Sequence, residues 1–143
     1  MDLTRFNTTA AADSAQRFEL IDPFNMDVLT DEDDKPLAFH IVGMASTVAR
    51  NEDARIEREA PKPPEKGEDR TEYEAEINVY RAKAGARKLA AMITRLEGKW
   101  QLGDKTLKAG DVEGLAELIE GQEWLANQLV MRSRDLKHYR PKM

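Results

Sequence analysis

Residues 17–46 constrain this chain more than any other stretch. Leu37, Phe39 and Ile41 fall on one side of a period-two alternation, and Ala38, His40 and Val42 fall on the other. Side chains alternate in that way along a strand, so the segment predicts a β-strand, closed by Gly43. Upstream, Phe18 and Leu20 alternate with Glu19 before Asp22-Pro23. Proline fixes φ and lacks a backbone donor, so this dipeptide signals a turn. Residues 24–29 are expected to resume an extended path. The run Asp31-Glu32-Asp33-Asp34 is too acidic for a buried strand and should form an exposed connection. The block therefore reads as two short strands joined by an acidic turn region, with no catalytic chemistry of its own.

Helical signals dominate the rest. Ser46 or Thr47 can accept from the orphan amides of a first turn and so cap a helix running to about residue 60. That segment has strong helix formers but few large apolar groups, which predicts a solvated, charged helix. Pro61, Pro63 and Pro64 stop it, and the charged, proline-rich stretch 61–70 reads as a linker. A long helix is expected over about 71–96. Tyr73, Ile77, Tyr80 and Ala84 form one stripe on it, while Ala82, Ala86, Leu89, Ile93 and Leu96 continue an apolar face. Trp100 and Leu102 then flank a small hairpin or irregular turn at 103–107. Asp111 should cap a short helix around 112–120, with Leu115, Leu118 and Ile119 facing inward. Gly121 separates it from a final helix over about 122–139, buried through Trp124, Leu125, Leu129, Leu136 and Tyr139, with Pro141 limiting its extension. Each indole can bury roughly 150–250 Å², so Trp100 and Trp124 read as core anchors.

The expected fold class is α+β and mainly helical: a small N-terminal antiparallel β element, a charged helix, a long helix and a C-terminal helical pair. Four parts follow from this reading. They are a flexible arm at 1–16 with Phe6 available as an anchor, a β element at 17–46, a charged helix with its linker at 47–70, and a helical domain at 71–143. A chain of 143 residues fits one compact domain with a small appendage.

Several function classes are disfavoured at once. The net charge of −5 argues against a broad basic stripe for nucleic acid. With no cysteine, disulfides, thiolate catalysis and zinc–thiolate sites are impossible, which fits a reducing cytosol. No apolar run approaches the roughly 20 residues that span a bilayer, and the N-terminus lacks the hydrophobic centre of a secretory signal.

Catalysis finds little support. The two histidines, His40 and His138, are far apart in sequence, and no HExxH, GxSxG or phosphate-loop pattern is present. His40 reads as a packed strand residue, and His138 as a residue complementing a helix C-terminus. The acidic run lacks the spaced ligands and the glycine of a calcium loop. Glu52, Asp53, Glu57 and Glu59 alternate with Arg50, Arg55 and Arg58, so intrahelical pairing explains them. The basic group Arg132, Arg134, Lys137, His138, Arg140 and Lys142 reads first as a cationic last turn, then as a contact for an acidic protein, and last as a contact for nucleic-acid phosphate. No enzyme activity, cofactor or metal is expected.

The order of motifs carries a resemblance. Phe18-Glu19-Leu20, Asp22-Pro23, Lys35-Pro36 and Ile41-Val42-Gly43-Met44-Ala45-Ser46 resemble the start of the tail assembly chaperone family of long-tailed bacteriophages. Trp100 with Gly103-Asp104-Lys105, then Leu115, Leu118-Ile119, Trp124-Leu125 and Gln128-Leu129-Val130, resembles the C-terminal helical part of that family. The resemblance spans about residues 17–136. The chain departs from it in having Met44-Ala45 before Ser46, where many relatives place an acidic residue, and in its charged linker.

The resemblance implies a non-catalytic protein of the host bacterial cytoplasm. Such a chaperone binds the phage tape measure protein and keeps it soluble while tail-tube subunits polymerise around it. In many members a frameshifted longer form recruits the tail-tube subunit. Neither nucleic acid nor membrane is an expected partner, and self-association stays open. Apolar helix stripes could cover a partner helix, which makes Tyr73, Ile77 and Tyr80, with Leu129, Arg132 and Leu136, the candidate protein-binding residues. The competing reading of both stripes is core packing. Two other functions compete: a structural virion protein of the tail or neck, and a small acidic inhibitor of a host nucleic-acid enzyme.

Overall fold

A computed structural model describes residues 1–140. Its centre is a three-stranded antiparallel sheet of β1 (Gln16–Glu19), β2 (Ala38–Ile41) and β3 (Ile93–Glu97), with β2 in the middle. Phe18 stands opposite Phe39, and Phe39 stands opposite Leu96. The helices are α1 (Thr8–Asp13), α2 (Thr47–Glu59), α3 (Thr71–Met92), α4 (Val112–Gly121) and α5 (Glu123–Arg134). A separate hairpin pairs β4 (Trp100–Leu102) with β5 (Lys105–Leu107). The protein is thus a small α+β domain, mainly helical.

One core joins these layers. Phe39 and Ile41 of β2 meet Leu89 and Met92 of α3, Leu115 and Ile119 of α4, and Leu125 and Leu129 of α5. Trp100 is buried and sets its ring edge-on to Phe39, at 6.4 Å between centroids. Trp124 is only half-buried at the margin of this cluster.

The path from β1 to β2 is held by a ring of backbone bonds. Leu20 N donates to Leu37 O, Leu29 N to Leu20 O, and Leu37 N to Leu29 O, each at 2.8 Å. Isolated bridges at Ile21–Val28 and Thr30–Pro36 extend this arrangement. Asp31 ties its far end down. Its carboxylate accepts from the amides of Asp33, Lys35 and, in the turn after β3, Lys99, at 2.9–3.0 Å. The first acid of the acidic run is therefore a structural clamp, while Glu32, Asp33 and Asp34 are exposed.

Three expectations change. Within residues 1–16, expected as a flexible arm, Leu3–Phe6 form a 3-10 turn, Thr8–Asp13 form α1, and Gln16 already opens β1. Ala12 is fully buried, and its carbonyl accepts from Gly43 N at 2.8 Å. A Cβ on Gly43 would come within 2.8 Å of the Ala12 methyl, so the glycine lets α1 lie against the chain after β2. Asp13 then accepts from both the amide and the hydroxyl of Thr47, reinforcing the Ser46 cap of α2.

The long helix is shorter than expected. α3 ends at Met92, and Ile93 and Leu96 belong to β3. β2 has a second edge whose backbone groups need partners, and the β-branched pair Ile93-Thr94 suits a strand. Gly98 then turns the chain at φ +80°, with Leu37 and Pro36 too close for a side chain.

The final helix is also shorter. It stops at Arg134, and Asp135 caps a 3-10 turn at Leu136–Tyr139. That break carries Tyr139 inward, where its hydroxyl donates to Ile41 O at 2.9 Å, and leaves Leu136 49% exposed. Burial pushes the Tyr139 phenol pKa up.

Candidate functional site

The long helix α3 presents two apolar faces. One carries Tyr73, Ile77, Tyr80 and Ala84 and packs against α2 and the proline-rich linker. Ile77 is buried, while Tyr73 and Tyr80 are half-buried. Tyr80 donates its hydroxyl to the Ile56 carbonyl at 2.7 Å. Lys88 reaches Asp53 across the same seam at 2.8 Å. On α2 itself, Arg55 pairs with Glu59 at 3.2 Å and lies 3.9 Å from Glu52. The charged helix is therefore held on α3. One polar atom in the seam is unsatisfied: Arg87 Nε is buried without a hydrogen-bond partner among the described residues.

The other face is open. Ala82, Gly85, Ala86 and Leu89 recur at i, i+3, i+4 and i+7, which places them on one side of α3. They form one wall of a groove of about 570 Å³. Ile119 of α4, Ala126 and Val130 of α5, and Met44 after β2 complete its apolar lining. Ala86, Leu89 and Ile119 are buried, so the floor is the outer side of the core. Charged residues stand around it: Arg81 and Lys88 from α3, Glu120 from α4 and Glu123 from α5. The Lys88 ammonium is already engaged by Asp53. Arg81, Glu120 and Glu123 have no ion pair among the described residues.

The C-terminal candidates separate. Leu129 is 0% exposed and offers no surface to a partner. Arg132 lies over the Phe18 ring, 5.4 Å from its centroid, and His138 meets the same ring edge-on at 5.1 Å. Lys137 pairs with Asp135 at 3.5 Å. Part of the basic group thus packs against β1, and Lys142 lies outside the described residues. Only Leu136 among the apolar candidates stands clear, beside a smaller depression of about 260 Å³ shared with Phe6, Ala11 and Tyr139.

One exposed apolar feature was not foreseen. Phe24 is 95% exposed and Met26 73% exposed at the tip of the first connection. Asp22 accepts from Phe24 N at 2.7 Å, and its carbonyl from Met26 N at 3.0 Å, so a tight turn displays them. Met26 adopts φ +65°, a region unusual for a side chain of that size.

The polar cluster of the sheet is structural in character. Glu97 Oε2 lies 2.6 Å from His40 Nε2 and 2.7 Å from Arg17 Nε, tying all three strands together. These two partners, His40 first, hold the Glu97 carboxyl below its usual range. Among the described residues, no group of three or more histidines or carboxylates is placed to hold a metal ion. Among the same residues, no helix is long and apolar enough to cross a membrane.

The groove was partly legible. The apolar spacing of Ala82, Ala86 and Leu89 was visible, but a core face and an open face share one pattern. A mid-helix glycine beside two alanines was the additional signal. Compared with protein families, curated proteins and solved structures, the chain matches no family model, no curated protein and no solved structure.

Proposed function

We propose that this protein is a tail assembly chaperone of a long-tailed bacteriophage, working without catalysis in the host bacterial cytoplasm. It binds the tape measure protein and keeps that long partner soluble while tail-tube subunits polymerise around it. The groove beside α3 is the observation that carries the reading. It offers open apolar surface on a folded domain, ringed by charges that keep the free protein soluble. Two of its walls come from the segment whose order of residues carries the resemblance, through Ile119 and Val130. Covering apolar surface on a partner requires no reacting group, only an exposed face and a means of release. Contacts rimmed with charge supply release through salt-sensitive, modest affinity.

Co-expression with the tape measure protein tests this. The protein should co-purify with that partner and raise its soluble fraction. Failure to do either removes the proposal. Mass spectrometry of purified particles gives a second arm, because abundance in mature virions would indicate a structural tail or neck protein.

A further inference from the structure

We propose that the groove between α3 and the α4–α5 pair receives a single amphipathic helix, which crosses α3 at Gly85. The inference rests on the assembly reading above and gives its docking site a chemistry. The occupant is a helix of the tape measure protein with a narrow apolar stripe, acidic residues along one flank and basic residues along the other.

Gly85 carries the first step. It lies inside the 22-residue helix α3, where glycine is less favourable than alanine. Its backbone is not in the left-handed region, so no turn requires it. A Cβ built there meets no heavy atom within 4 Å, so packing within the chain does not require it either. What the glycine provides is a low point in the groove wall, extended by Ala82 and Ala86. The distance between packed helices depends on the side chains at their crossing, and small residues allow a close approach.

The lining decides the class of ligand. Small-molecule sites place a few convergent polar groups among apolar walls. Here the apolar lining is Ala82, Gly85, Leu89, Ile119, Ala126 and Val130, and the charged groups stand at the rim. Such a trough suits the apolar face of a helix, read through anchors at i, i+3, i+4 and i+7.

The rim then sets the orientation. Arg81 stands on the α3 side, and Glu120 and Glu123 stand on the opposite side, each without an ion pair among the described residues. A helix with an acidic flank toward Arg81 and a basic flank toward the two glutamates meets opposite charge on both sides. Rotated the other way, it meets like charge on both sides, which is how charge at a rim rejects a wrong register.

The test compares variants in the co-expression assay with the tape measure protein. Gly85→Leu projects into open space and gains helix propensity, so its unfolding midpoint should be no lower than that of the parent while retained partner falls at least tenfold. The double variant Glu120→Lys, Glu123→Lys alters only exposed positions and should weaken retention several-fold at low salt, less so at high salt. Retention unchanged in Gly85→Leu or, if that variant fails to fold, in the double variant would overturn the inference while leaving the chaperone reading intact. A parent protein that retains no partner overturns both. Sedimentation of the protein alone supplies the last arm: if Gly85→Leu dissolves a self-associated form, the groove belongs to a second copy and the helix assignment is wrong.

Discussion

Helix α3 turns one face to α2 and another to the groove, and different residues finish the two. On the α2 side, the large residues Tyr73, Ile77 and Tyr80 border a depression of about 410 Å³ beneath the linker, and a tyrosine hydroxyl finds a carbonyl. On the groove side, the residues nearest solvent are Ala82 and Gly85, which fill almost no space. The covered face resembles a core seam built from sequence neighbours joined through the linker. The open face is a finished surface on which Ala82, Gly85, Ala126 and Val130 stay partly exposed above a buried floor. The contrast separates the residues that hold α3 in place from those free to meet a partner.

The largest effect should come from the covered side and the core beneath both faces. Leu129→Ala and Ile77→Ala should each cost about 2–5 kcal/mol, with Leu129 toward the upper end because it is wholly buried. Denaturant midpoints measure both. An Ile77→Ala loss below about 0.5 kcal/mol, the range of surface substitutions, would mean that α2 rests loosely on α3, and the contrast between the faces would fail.

A smaller effect isolates the polar part of the seam. Tyr80→Phe removes the hydroxyl that donates to Ile56 O and leaves that carbonyl without it. The expected loss is about 1 kcal/mol, read from the same unfolding curves. On the open side the sign reverses. Gly85→Ala should stabilise the free protein by about 0.5–1 kcal/mol, because the helix gains propensity and the new methyl meets nothing. A destabilised Gly85→Ala would show that the groove wall is already packed.

These differences explain what the sequence could and could not disclose. The strand at Phe39 and Ile41 was legible because its period is short and its partner lies nearby. The Ser46 and Asp111 caps were legible because capping depends on a few adjacent residues. β3 was not, because Ile93 and Leu96 continue the helical spacing of α3. Only the demand of β2 for a second backbone partner converts them to strand, and that demand is tertiary. The order at residues 8–13 was hidden for a similar reason, since Ala12 is held by Gly43, thirty-one positions away. Likewise the stripes on α3 gave period without showing which one α2 would cover. Leu129 and Leu136 were grouped by spacing, and the cap at Asp135 separated them.

The smallest expected effect extends the contrast to acid. The apolar contacts of the α2–α3 seam, between Ile56, Ile77 and the α3 tyrosine rings, do not titrate, and the Asp53–Lys88 pair across it is largely exposed on the Asp53 side. The sheet and the start of α4, however, are tied by carboxylates whose pKa values lie below their usual range. Glu97 is held down by His40 and Arg17, and Asp111 by the Gly114 amide and then Lys105. A carboxyl with a lower pKa folded than unfolded stabilises the fold fully above the unfolded value, about 4. That contribution disappears as pH falls through the folded value, when both states are protonated. Stability should therefore decline below about pH 4, and Glu97→Gln should flatten part of the decline. The effect is small because Glu97 is partly exposed and water screens the pair. Hydrogen exchange across the titration locates it: protection should fall first in β1–β3, while the α2–α3 seam keeps its protection. Loss of the seam before the sheet would reverse the assignment of which region is closed by apolar contact and which by charge.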